Sequence, residues 1–122
     1  NYGMQGVQFT ATSTTAESQM LSNPMSVHSI TCNNDNQDIV SMGTNSALIT
    51  RKVIDNAFQV MSIQLLACVE AFEILKVEKK ACNETKYTLN AFKKLIGVKC
   101  KDDKVFYNKL QKIESYLRNS CD

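Results

Sequence analysis

The stretch NAFQVMSIQLLACV, residues 56–69, decides the fold, and it contains no charged side chain. Its apolar residues fall on several faces of a helix. One set, which continues beyond residue 69, repeats at three-to-four spacing: Phe58, Met61, Leu65, Phe72 and Leu75. A second set lies on the other faces: Val60, Ile63, Leu66 and Val69. A helix that is apolar nearly all round is buried. We therefore predict a long buried helix that ends near Leu75.

This long helix is predicted to start between Asp38 and Asn45, with Asn34, Asp35, Asp38 or Asn45 as its N-cap. Thirty or more helical residues, each rising about 1.5 Å, span roughly 45 Å or more. A compact domain of 122 residues has a radius of gyration of only roughly 14 Å. The helix is therefore expected to need partner helices from a larger protein or from other copies.

A membrane span is the competing interpretation of the apolar run. Gln59, Ser62 and Gln64 interrupt the run. Glu70 and Glu73 then close it before about 20 apolar residues accumulate. We predict no membrane contact.

Before the long helix, residues 4–21 contain no proline and are followed by Ser22, Asn23 and Pro24, which predicts a first helix that ends near Leu21. A polar connector then occupies about residues 22–37. Its short apolar alternation at Val27 and Ile30 predicts an extended segment packed on a surface.

After the long helix, apolar spacing predicts a third helix over residues 87–96, which Gly97 can end. A fourth helix is predicted over residues 106–117, with Asp102 and Asp103 placed to cap its start. The predicted fold is all-α, a long-helix bundle. We divide it into residues 1–76, which carry the connector, and residues 77–122, which form short amphipathic helices.

Charge is distributed unevenly along the chain. Residues 1–75 hold two basic and six acidic residues, whereas residues 76–122 hold twelve basic and six acidic residues. Glu17 is the only charged residue among the first 34, so we expect other protein to cover much of that segment. Because the chain opens on Asn1, we expect its start to be a cut in a longer protein. The mixed charges after Lys76 suit a solvated face and not a nucleic-acid site.

The five cysteines show no CxxC pair and no His–Cys cluster: Cys32, Cys68, Cys82, Cys100 and Cys121. This pattern favours structural thiols in a reducing cytoplasm and predicts no metal site. His28 is the only histidine, and without a placed partner it is interpreted as incidental.

The segment NQDIVSMG, residues 36–43, resembles a signature of the methylidene-imidazolone-dependent ammonia-lyases and aminomutases. Residues 6–11 and 21–30 resemble the helix and connector that precede this signature, and residues 51–72 resemble the long core helix that follows it. The chain is similar to the C-terminal part of histidine, phenylalanine and tyrosine ammonia-lyases. The resemblance implies their helical-bundle fold, a homotetramer, and elimination of ammonia from an aromatic L-amino acid.

In this family an internal Ala-Ser-Gly cyclises into the electrophilic methylidene-imidazolone, and a tyrosine removes the β-proton of the substrate. No glycine of this chain follows Ala-Ser: they are Gly3, Gly6, Gly43 and Gly97. The chain cannot build the electrophile, so we expect it to be inactive alone.

The resemblance also implies one wall of an active site. Asn36 and Gln37 match positions that reach the electrophile and the substrate, whereas Asn33 and Gln5 match more variable positions that line the substrate pocket. Asp38 is interpreted as structural. Without the resemblance, a run of Asn, Asp and Gln before a helix indicates capping and turn chemistry.

At the two positions that Asn36 and Gln37 match, histidine ammonia-lyases typically have Gln-Glu. The pair Asn-Gln is instead common in the similar enzymes that act on phenylalanine or tyrosine. It therefore favours tyrosine or phenylalanine over histidine. Two alternatives stay open: an aminomutase of the same family, or a helical oligomerisation module whose polar connector only caps the helix.

Overall fold

The computed structural model describes residues 3–37, 39–97 and 106–120, and every longer element in them is an α-helix, which confirms the all-α prediction. Four α-helices follow one another, with a 3₁₀ turn at Met25–His28 and another at Glu78–Lys80. The four are α1 at Gly3–Met20, α2 at Gly43–Leu75, α3 at Asn83–Ile96 and α4 at Tyr107–Asn119.

The long helix α2 organises the molecule. Its 33 residues span about 50 Å, and α1, α3 and α4 all pack against it. The predicted end at Leu75 is confirmed. The predicted first helix is confirmed to within one residue at each end.

An apolar core joins the C-terminal half of α2 to α3 and α4. Leu66 on α2 and Ile113 on α4 are fully buried. Around them lie further buried side chains from α2 and α3, namely Val69, Leu89, Phe92 and Ile96. Phe92 also meets Tyr116 edge to face, with ring centroids 5.2 Å apart. This core places α3 and α4 against the long helix.

Ion pairs at the rim fasten the same elements. Arg118 of α4 contacts Asp55 of α2 and Glu114 of its own helix, each at 2.8 Å. Its guanidinium carbon also lies 4.5 Å from the centroid of the Phe58 ring. The hydrogen bonds with Glu114 and then Asp55 raise the pKa of Arg118.

The contact between α1 and α2 has a different, polar character. The side chain of Asn56, which is 4% exposed, donates to Oε2 of Glu17 at 2.8 Å and to Oγ of Ser18 at 3.2 Å. Oγ1 of Thr14 donates to Oε1 of Gln59 at 2.9 Å. Directional bonds therefore set how α1 lies on α2.

The start of α2 differs from the prediction. Its N-cap is Met42, in the left-handed region with φ 52°, and no side chain caps the helix. Asn45 lies inside the helix, while Asn34 and Asp35 belong to a turn upstream. Asp38 lies outside the described residues. The polar residues before the helix are used by that turn, so they are unavailable as caps.

The later helices end close to the predicted residues, although α3 begins at Asn83, four residues before its predicted start. Gly97 ends α3 with φ 71°, as predicted, because glycine enters the left-handed region without a Cβ clash. The proposed caps Asp102 and Asp103 lie outside the described residues.

Much of the apolar surface of α2 is exposed in this chain, including Leu48, Ile54 and Ile74. By length and composition alone, α2 could cross a membrane. The core helix of a soluble protein can have the same length and composition. The absence of membrane contact therefore stays a prediction.

Candidate functional site: an amide-bearing turn before the long helix

Side-chain hydrogen bonds cap the C-terminal end of α1, where the connector begins. The hydroxyl of Ser22 donates to the carbonyl of Gln19 at 2.7 Å, and the amide of Asn23 donates to the carbonyl of Met20 at 3.2 Å. Pro24 follows and cannot continue the helix. These bonds satisfy carbonyls that a helix end leaves free.

The predicted extended connector is wrong in its details. A 3₁₀ turn forms at Met25–His28. Val27 and Ile30 are exposed, so these two side chains find no apolar surface in the described part of the chain. The many turn-forming residues of this segment outweigh the preference of two apolar residues for an extended backbone.

Residues 32–37 form a tight turn, here called the amide turn. Cys32 and Gln37 pair as an isolated antiparallel bridge. Their backbones exchange two hydrogen bonds, from Cys32 N to Gln37 O at 3.1 Å and from Gln37 N to Cys32 O at 3.3 Å. Between them, the backbone N–H of Asn36 donates to the carbonyl of Asn33 at 3.1 Å. The turn is therefore closed by its own backbone.

Three consecutive residues of the amide turn adopt left-handed backbone. Asn33, Asn34 and Asp35 have φ values of 56°, 53° and 62°. Asn and Asp are, after glycine, the residues that enter this region most readily. The Asn-Asn-Asp run therefore explains the shape of the turn, and this part of the capping-and-turn interpretation is confirmed.

A second tie closes a wider loop around the amide turn. The hydroxyl of Ser29 accepts a hydrogen bond from the backbone N–H of Val40 at 2.8 Å. Ser29 precedes the amide turn and Val40 follows it, so this bond ties the two ends of the segment together shortly before α2 begins. Ser29 was not among the predicted site residues, and only its place near the turn could have suggested a role.

The structure brings three of the four predicted site residues together. Asn33, Asn36 and Gln37 share the amide turn, and all three are exposed. The thiol of Cys32 donates to Oε1 of Gln37, with sulfur and oxygen 3.6 Å apart. In the described residues no hydrogen bond occupies the Asn36 side chain. The turn therefore presents amide groups that can donate to, or accept from, a bound molecule.

Gln5 is placed apart from the amide turn. It is an exposed residue in the first turns of α1, and no hydrogen bond links it to residues 32–37 in the part of the chain that the structure describes. The residues that join α1 to α2 are instead Thr14, Glu17 and Ser18. The role predicted for Gln5 stays a prediction.

Two open grooves lie elsewhere on the surface. One, of about 660 Å³, runs along the N-terminal half of α2 beside Thr50, Arg51 and Arg118. The other, of about 590 Å³, lies between α1, α2 and α4 beside Gln59 and Tyr107. Neither groove is lined by the amide turn. In the described part of the chain, the turn is therefore an exposed surface that lines neither of these grooves.

The remaining reactive groups form no second site. In residues 3–37, 39–97 and 106–120, no group of three or more His, Cys, Asp or Glu side chains could hold a metal ion. Cys32, Cys68 and Cys82 are free and exposed. The pKa of Cys82 is lowered, mainly because the Thr85 hydroxyl bonds to its thiol.

Comparison with known proteins gives consistent results. The sequence model of the family described as aromatic amino acid lyase matches residues 1–95. The chain is 32% identical over 119 residues to histidine ammonia-lyase of Treponema denticola, a match that covers 98% of this chain and 23% of that protein. It is 39% identical over 72 residues to tyrosine ammonia-lyase of Cupriavidus metallidurans, covering 59% of this chain and 14% of that protein.

A crystal structure of a mutant tyrosine aminomutase with a bound ligand is also similar. It superposes with a TM-score of 0.88 at 29% sequence identity, covering 96% of this chain and 22% of that one. The chain thus has the fold shared by ammonia-lyases and aminomutases, and it spans less than a quarter of the length of these similar proteins.

Proposed function

Because the chain belongs to the aromatic amino acid lyase family, we propose that it forms one wall of the active site of a longer enzyme. That enzyme eliminates ammonia from an aromatic L-amino acid. The observation that carries this proposal is the amide turn, where Asn36 and Gln37 are exposed on a backbone closed by its own hydrogen bonds. A wall that faces a substrate must be held in place, since small displacements of positioning groups cost large factors in rate.

The proposed enzyme needs the methylidene-imidazolone electrophile, which must come from an Ala-Ser-Gly outside these 122 residues. When bound, this group supplies the electrophile for ammonia elimination. The amide turn fits such a neighbour, because the Asn36 side chain is exposed and can donate a hydrogen bond to an oxygen atom. We propose that Asn36 orients the electrophile and Gln37 contacts the substrate, while Asn33 and Gln5 line the substrate pocket. The isolated chain should then release no ammonia.

Gln37 supports a preference for tyrosine or phenylalanine. A carboxylate at this position could accept a hydrogen bond from an imidazole N–H and favour its charged form. Beside a benzene ring the same buried charge would be unpaired and costly. The neutral amide of Gln37 avoids that cost.

The test of this proposal is kinetic. We would first read the gene upstream of Asn1 for an Ala-Ser-Gly codon run, and then measure kcat/KM of the full-length protein on tyrosine, phenylalanine and histidine. Gln37→Glu should shift the preference toward histidine, by roughly tenfold for one hydrogen-bonded polar contact. Gln111→Glu, the same change in α4, should leave the preference unaltered. The preference proposal fails if histidine is already the best substrate of the unmutated enzyme.

A second candidate is an aminomutase, which the similarity to a tyrosine aminomutase favours. The two activities differ in their product, because a lyase releases the conjugated acrylate whereas an aminomutase returns a β-amino acid. Chromatography of the tyrosine reaction separates them. If the upstream gene encodes no Ala-Ser-Gly, a helical assembly module becomes the better proposal.

Assembly and location complete the proposal. The exposed apolar residues of α2, among them Leu48, Ile54 and Ile74, need cover from other helices. We propose a homotetramer whose bundle includes α2, in a cytoplasmic enzyme. Sedimentation at micromolar concentration should show an oligomer, and a stable monomer would contradict the proposal.

A further inference from the structure

Among the described residues, the side chain of Gln37 forms one hydrogen bond, with Cys32. The thiol of Cys32 lies 3.6 Å from its Oε1. The two residues also face each other across the antiparallel bridge of the amide turn. Residues paired in this way hold their side chains on the same side of the backbone. The bridge therefore keeps the thiol and the amide together.

This contact distinguishes the two ends of the amide. A glutamine side chain has one oxygen that accepts and one nitrogen that donates. In this structure the Cys32 thiol donates to the oxygen, so the nitrogen is left to face outward. In the described residues no hydrogen bond occupies Nε2 of Gln37. Without Cys32, rotation of the amide could present either end.

We propose that Cys32 is a positioning residue that holds Oε1 of Gln37 and so presents the amide N–H₂ to the substrate. This inference rests on the proposed function, and it deepens it by choosing between the two substrates that Gln37 favours. A phenol oxygen can accept the presented N–H, whereas a bare phenyl ring offers no such acceptor. A site built to bond a substrate hydroxyl discriminates against the analogue that lacks it. The preferred substrate is therefore tyrosine and not phenylalanine.

The experiment measures kcat/KM of the full-length enzyme on tyrosine and phenylalanine in matched variants. Cys32→Ala should lower the tyrosine value about fivefold, the scale of one weak hydrogen bond, and change the phenylalanine value less than about twofold. Cys32→Ser should restore the ratio, because a hydroxyl also donates. Cys82→Ala, which removes another exposed thiol in a distant element, should leave both values unchanged.

A double variant separates positioning from a general structural role. In a Gln37→Ala background, Cys32→Ala should have no further effect on the substrate ratio, because the thiol acts only through the amide. Circular dichroism checks that each variant is folded. If Cys32→Ala does not fold, Cys32→Ser still tests the positioning role.

Three outcomes would overturn the positioning role alone: equal losses on both substrates, an undiminished effect of Cys32→Ala in the Gln37→Ala background, or a preference for phenylalanine. If the full-length enzyme releases ammonia from none of the aromatic amino acids and also makes no β-amino acid, the proposed function fails, and this inference fails with it.

Discussion

The two halves of α2 are held by different kinds of contact. The C-terminal half packs into an apolar core, where Leu66 and Ile113 are 0% exposed. Hydrogen bonds such as those of Asn56 join the N-terminal half to α1; on α1, Val7 is buried whereas Phe9 is 63% exposed. Apolar burial dominates in the first contact, whereas directional hydrogen bonds contribute more to the second.

This difference indicates what each half can do alone. Burying a large apolar side chain contributes roughly 1.5–3 kcal/mol, whereas a hydrogen bond contributes about 0.5–1.5 kcal/mol net. The C-terminal core therefore supplies most of the chain's own stability. The N-terminal half of α2, which follows the amide turn, leaves apolar surface such as Leu48 exposed, as expected of a region completed by other protein.

The largest effect is expected in the apolar core. Leu66→Ala should lower the free energy of unfolding by about 2–5 kcal/mol, because it leaves a cavity among well-packed neighbours. Denaturant unfolding at fixed protein concentration measures the change. Leu75→Ala, on the same helix but 66% exposed, should cost less than about 0.5 kcal/mol. Equal losses for the two variants would show that the core is not the main source of stability.

A smaller effect is expected at the polar contact between α1 and α2. Asn56→Ala removes two hydrogen bonds from a buried amide and should cost about 1–2 kcal/mol. Asn90→Ala, an exposed position in α3, should be neutral or slightly stabilising, since alanine favours helix. Thermal unfolding compares the two. A loss at Asn56 as large as that at Leu66 would contradict the contrast between the halves.

The smallest effect is expected from the ion pairs of Lys93 at the rim of the core. Its Nζ lies 2.6 Å from Glu73 and 3.3 Å from Glu78, and Lys93→Gln should cost about 0.5–1 kcal/mol. Its pKa is raised above the ordinary 10.5, mainly by the hydrogen bond to Glu73. The contribution is therefore fully present below that value and is lost as pH rises through the higher folded pKa.

The measurement for Lys93 is the difference in unfolding free energy between wild type and Lys93→Gln, taken near neutral pH and again above roughly pH 11. The difference should shrink at the higher pH. Lys94→Gln, which removes the charge of the exposed neighbour, is the matched control for loss of one positive charge. A difference that grows with pH would mean that the raised pKa has been misassigned.

Sequence patterns predicted the helices well but predicted the start of α2 poorly. Periodicity located α2, and Gly97 ended α3 as predicted, because both signals act within a single helix. The predicted start of α2 was wrong because Asn and Asp favour both turns and helix caps through the same local hydrogen bonding to the backbone. Composition therefore could not distinguish the amide turn from a cap.

The candidate site was predicted only in part for a related reason. The resemblance identified Asn33, Asn36 and Gln37, which the structure places in one turn. It did not identify Cys32, which contacts the Gln37 side chain, or Ser29, which bonds to the backbone of Val40 and closes the loop around the turn. Such contacts depend on how the turn closes, and nothing in the letters alone shows which side chains then meet.

The left-handed backbone of residues 33–35 has a consequence for protein engineering. Three successive positions accept little beyond Asn, Asp and Gly without strain, since other side chains cost roughly 1–2 kcal/mol each there. A library that randomised all six residues of the amide turn would consist mainly of clones with distorted loops. Holding Asn33, Asn34 and Asp35 constant and varying only Cys32, Asn36 and Gln37 would let a selection for new substrates sample chemistry on an intact backbone.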